Sequence, residues 1–166
     1  MKDPSYPKLD SELERQLDKI SPSFDRDLAY KPCLVHLDTD NKVVDRVYVI
    51  NAEDYIKHWG VWPENDRGKN YINISRVIKI AESPSRLPAE IANEIYQAGE
   101  SGMGYSVFTL KFTDGTSKAY VTGNAVDFID YPEGKSADDI LSVEPHVGRE
   151  RAVQSRTRYF WCLYSK

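Results

Sequence analysis

The stretch from Gly99 to Tyr131, GESGMGYSVFTLKFTDGTSKAYVTGNAVDFIDY, decides the fold class. Phe108, Leu110 and Phe112 alternate with Val107, Thr109 and Lys111, the period of two that a half-buried strand requires. Asp114-Gly115 offers the two positive-φ positions of a tight hairpin. With those two residues as the loop, Leu110 faces Ala119 and Phe108 faces Val121. A slip of one residue sets Leu110 against Lys118, which burial of a single face disfavours. Gly123-Asn124 marks a second turn that brings Val126 opposite Val121 and Phe128 opposite Ala119. The expectation is a three-stranded meander with Phe108, Leu110, Phe112, Val126 and Phe128 inward, and with Tyr120 and Asp127 side by side on the open face.

Working back from Gly99, Leu87, Ile91 and Ile95 recur every four residues behind Pro88, which predicts a helix over 88–98 lying on that apolar face. Tyr71–Ile80 is β-rich, but its parity puts Arg76 in line with Ile72, Ile74, Ile78 and Ile80. Either a bulge near Ser75 resets the alternation, the preferred reading, or Arg76 is buried and needs a carboxylate. Asn51 caps a short helix through Tyr55 and His58. Cys33–Leu37 and Val43–Ile50 read as strands joined by a polar loop. Ser11 and Glu14 form a capping-box pattern for a helix over 11–20, and Arg158–Tyr164 reads as a terminal strand. The expected whole is a single α+β domain over 1–166 with a flexible segment at 1–9. It has a short N-terminal helix and a curved, mainly antiparallel sheet packed on the 88–98 helix, partial rolling into a barrel being left open.

Composition narrows function without naming it. A chain of 166 residues with 40% hydrophobic residues and eleven Tyr can bury a real, ring-rich core. The formal charge of −4 argues against phosphate-driven binding, although Arg149–Lys166 carries five cations against Glu150 and leaves −8 elsewhere. That basic segment reads first as a strand neutralising an acidic body and second as a partner patch. Two cysteines, Cys33 and Cys162, in apolar settings and an opening without a signal pattern lead to a cytoplasmic expectation. No apolar run reaches the ~18 residues of a membrane span.

Motif tests mostly fail. The loop Gly99–Gly104 follows a helix and opens a strand, the reverse of a phosphate cradle. It misses the nucleophile elbow because Met103 stands where glycine is needed. Cys33-x-x-His36 would point to opposite faces of a strand, and Asp38-x-Asp40 lacks the later calcium ligands, so no metal and no cofactor is expected. The recognition candidates are therefore Glu100, Ser101 and Met103 on the glycine loop, Trp59, Trp62 and Arg67 on the aromatic loop, and Arg76, Tyr120 and Asp127. Trp59 and Trp62 serve either recognition or coverage of the sheet edge. The leading expectation is a non-catalytic binding protein for a protein or small ligand. The alternative is a small cofactor-free, hydrolase-like enzyme using Glu100, Asp127 or a His with Arg76. Nucleic-acid binding through Arg149–Arg158 comes third.

Overall fold

In the computed structural model, which describes residues 4–154 and 158–166, the chain runs α1 (Ser11–Asp18), β1 (Ser23–Asp25), β2 (Leu28–Leu37), β3 (Val43–Asn51), α2 (Ala52–Trp59), β4 (Asn70–Tyr71) and β5 (Val77–Ala81). It continues through α3 (Ala89–Ala98), β6 (Ser106–Phe112), β7 (Ser117–Thr122), β8 (Ile140–Pro145), β9 (Val153–Gln154) and β10 (Phe160–Tyr164). The class is α+β. The chain groups into two compact units, one of residues 1–22, 28–83 and 158–166, the other of residues 23–27 and 84–157. The strands form two sheets, one of six strands and one of four, mostly antiparallel, and neither closes into a barrel.

In the first unit, β2 pairs antiparallel with both β3 and β5, while β10 lies parallel between β3 and β4. Alternation along these strands divides the residues between two covered faces. Cys33, Val35, Val47, Val49 and Cys162 join Leu13, Leu17 and Ile20 of the N-terminal segment in one core. Tyr48 and Trp161, of opposite parity, join Tyr55 and Trp59 of α2 in a cluster of rings. Asp10 rather than Ser11 caps α1, its carboxylate accepting from Leu13 N–H at 2.8 Å. Asn51 caps α2 as expected, accepting from the N–H groups of Glu53 and Asp54. The parity conflict around Arg76 resolves as a single 3-10 turn, Ile74–Arg76, capped by the Asn73 side chain. It breaks the run into β4 and β5, buries Ile74, Val77 and Ile80, and turns Ile78 outward.

The second unit corrects the meander in two places. The observed register sets Leu110 opposite Lys118, Thr109 opposite Ala119 and Phe108 opposite Tyr120, one residue away from the expected pairing. Phe112 N–H bonds Thr116 O, so Thr113, Asp114 and Gly115 form a three-residue loop with only Gly115 at positive φ (+89°). Asp114 keeps negative φ because its carboxylate accepts from Thr116 N–H and Oγ, which favours the bulged loop over the two-residue turn. The slip costs little because β6 is covered on both faces. Phe108, Leu110 and Phe112 pack with Leu87, Ala92 and Ile95 of the α3 region. On the reverse side Thr109 donates to Val147 O at 2.6 Å.

The third expected strand is absent. Residues 124–130 are irregular and bond to the segment before α3, with Leu87 N–H donating to Asp127 O and Ile129 N–H to Ser85 O. The free edges of the hairpin are taken instead by β8 beside β6 and by β9, parallel, beside β7. The five expected interior side chains, Phe108, Leu110, Phe112, Val126 and Phe128, are nevertheless all buried.

Candidate functional site

The first unit carries a cavity of about 200 Å³ walled by the Tyr6, Tyr71 and Trp161 rings, Pro63, Asn73 and the Glu64 carboxylate. Tyr6 reaches it because Ser165 N–H and Oγ bond the carbonyls of Pro7 and Tyr6, tying residues 6–7 beside β10. The Tyr6 hydroxyl donates to Glu64 at 2.7 Å, and burial together with that bond pushes its pKa up. Glu64 is the one charged residue of the wall, and no cation faces it from the lining.

Beside the cavity lies the ring cluster. Trp161, fully buried, sits 4.8 Å from Tyr48, 5.1 Å from Tyr55, 5.5 Å from Trp59, 5.8 Å from Tyr30 and 6.0 Å from Tyr159, centroid to centroid. Trp59 thus folds back onto the sheet. Trp62 packs its ring 5.6 Å from Tyr6 and is half-buried, and Arg67 is exposed. Lys69 lays its ammonium over the Trp59 ring at 3.7 Å, and desolvation lowers its pKa while Asp66 partly opposes the shift. Arg76 is exposed, 3.8 Å from Asp38 and donating to Thr39 at 3.3 Å, so the buried-cation reading falls.

In the second unit Tyr120 and Asp127 are interior, not on an open sheet face. Tyr120 stacks on Phe108 and donates to Asp130 O at 3.1 Å. Asp127, fully buried, accepts from Ser23 Oγ and from the Tyr96 hydroxyl at 2.5 Å. The register shift and the missing third strand separate the two residues that the pairing arithmetic made neighbours.

The glycine loop holds a contact that no spacing rule announced. Ser101 Oγ lies 2.8 Å from His146 Nδ1, and His146 Nε2 lies 2.9 Å from Ala98 O. The carbonyl requires the proton on Nε2, leaving Nδ1 to accept from Ser101. The same Oγ accepts from Val107 N–H at 2.7 Å, and Arg149 donates to Ser101 O at 3.0 Å and to the Tyr105 hydroxyl. His146 arrives there on a left-handed residue (φ +66°) followed by Gly148, where a Cβ would meet Thr109 and Ala119 within 2.6 Å. Glu100 is exposed, reaching Gly104 N–H at 3.4 Å, and Met103 is 98% exposed.

Among the described residues no group of three or more His, Cys, Asp or Glu could hold a metal. No described helix is long and apolar enough to cross a membrane. Arg156, counted in the basic segment, lies outside the described residues, as do Met1, Lys2 and Asp3 of the opening. No family model, curated protein or solved structure matches the chain.

Proposed function

We propose that the protein is a non-catalytic binding protein that takes one basic side chain of a protein partner, or an amine of the same size, into the Glu64 cavity. The observation that carries this reading is the wall itself: one carboxylate among aromatic rings and prolines, with no cation among the described lining residues. At about 200 Å³ it falls below the ~300–1,000 Å³ of pockets that enclose drug-sized ligands, so the guest is a single side chain or a small amine. Rings and carboxylate together suit a cation on an apolar stem.

The test is titration with n-butylammonium, read by NMR. Shifts confined to Tyr6, Tyr71 and Trp161 that vanish in Glu64→Gln are the expected result. Shifts absent, or equal in both proteins, would overturn the reading.

A second reading, a small cofactor-free hydrolase, draws on the Ser101–His146 contact. In it Ser101 Oγ attacks an ester or amide carbon as its proton passes to Nδ1, the carbon–leaving-group bond then breaks with the alcohol or amine taking that proton, and water releases the acyl group from Ser101. It ranks second because the Val107 N–H on the same oxygen withdraws density from the nucleophile. Labelling by a fluorophosphonate that Ser101→Ala abolishes would promote it. Nucleic-acid binding through the basic segment stays third, since Arg149 is engaged by Ser101 and Tyr105 and Arg151 by Glu150.

A further inference from the structure

Three ring faces in the first unit converge on one cation that the chain itself supplies. Tyr55 and Trp59 stand four residues apart on α2 and so share a face, and Trp161 rises from the adjacent strand β10. Their centroids lie 5.1 to 6.3 Å from one another. Lys69 Nζ sits 3.7 Å from Trp59, 5.2 Å from Trp161 and 5.8 Å from Tyr55, each within reach of a cation–π attraction.

We infer that this three-ring recess is a receptor for a quaternary ammonium group, held shut by Lys69. A primary ammonium is a compact, strongly hydrated charge with three N–H groups to satisfy, and ring faces offer it no oxygen acceptor. The lowered Lys69 pKa, caused first by desolvation, expresses that poor match. A quaternary ammonium carries no N–H, gives up less hydration, and gains the same attraction from the rings. Lys69 can withdraw by rotation of its flexible four-carbon stem.

The Tyr55 hydroxyl and the Trp59 and Trp161 indole N–H groups are buried with no hydrogen-bond partner among the described residues. A quaternary ammonium offers these donors no acceptor, so the inference stands on the three ring faces gathered around the Lys69 ammonium. The site shares Trp161 with the Glu64 cavity but uses neither Glu64 nor Tyr6, and its Trp59 readout stands if that reading fails.

The test titrates the full chain and Lys69→Met with choline and with a trimethyl-lysine peptide, following the Trp59 and Trp161 indole resonances. Lys69→Gln serves as the second variant should the first not fold. Removing the internal cation should tighten binding about tenfold, and the uncharged tert-butyl analogue of choline should bind about tenfold more weakly. Trp59→Leu should abolish the response. Preference for choline identifies a free ligand, and preference for the peptide a methylated protein. No response from either guest, no gain on removing Lys69, or equal binding of the uncharged analogue would each overturn the inference.

Discussion

Tyr55 and Tyr96 are both tyrosines whose rings pack against core residues of their own unit, yet their hydroxyls meet opposite fates. In the second unit Tyr96 donates to the Asp127 carboxyl and accepts from Val126 N–H at 3.0 Å, and Ser23 completes the carboxyl's surroundings. In the first unit the Tyr55 hydroxyl has no hydrogen-bond partner among the described residues, and neither do two neighbouring indoles. A buried polar group that is fully met by its own chain is structure. One left unmet contributes through its ring alone, as Tyr55 does against Trp59 and Trp161.

The heaviest blow to this contrast would come from Trp161→Ala. The ring is fully buried against five others, so its loss should cost about 4 kcal/mol in urea unfolding. A loss under about 1.5 kcal/mol would mean that the ring cluster does not hold the first unit together. Next, Tyr96→Phe should cost about 2 kcal/mol, because it strips Asp127 of a donor and orphans Val126 N–H.

Smaller again, Tyr120→Phe should cost about 1 kcal/mol through the lost bond to Asp130 O. It should also flatten the alkaline limb of stability. Burial, and then the Asp130 charge, push the Tyr120 pKa up to about 12 from 10.0. The folded state therefore keeps a proton that the unfolded chain releases, and this contribution, whole below pH ~10, is lost as pH rises towards 12. Last, Tyr55→Phe should cost no stability and should gain up to about 1 kcal/mol, since it deletes a buried hydroxyl that bonds nothing described. A cost equal to that of Tyr96→Phe would erase the distinction between the two tyrosines.

Much of this architecture was legible in local chemistry. The Asn51 cap, the helix behind Pro88 and the interior placing of Phe108, Leu110 and Phe112 all follow from short-range rules, whereas the bulge expected near Ser75 is a 3-10 turn that ends one strand and starts another. The hairpin register did not, for a definite reason. The one-face rule discriminates only where the other face is wet, and here Thr109 and Ala119 are buried as well, which leaves the Asp114 side chain to choose the loop. Asp127 misled for a related reason, since a carboxyl beside a turn reads as exposed unless its distant donors, Ser23 and Tyr96, are known.

The site was half visible. Trp59, Trp62 and Arg67 stand out as an aromatic loop, but no local pattern places the Lys69 ammonium over the Trp59 ring. Nothing in the FWCLY segment announced that Trp161 would be the hub beside α2. His146 lies 45 residues from Ser101, and no motif spacing links them.

Strand β10 has a temporal consequence. Its residues enter the middle of the first unit's sheet, parallel to β3 on one side and β4 on the other, although residues 84–157 intervene in sequence. On a ribosome, β3 and β4 emerge long before the strand that must bridge them, and the ring hub has no centre until Trp161 arrives. Newly made β3 therefore waits with an unpaired edge, a window in which a chaperone or another nascent strand can compete for it.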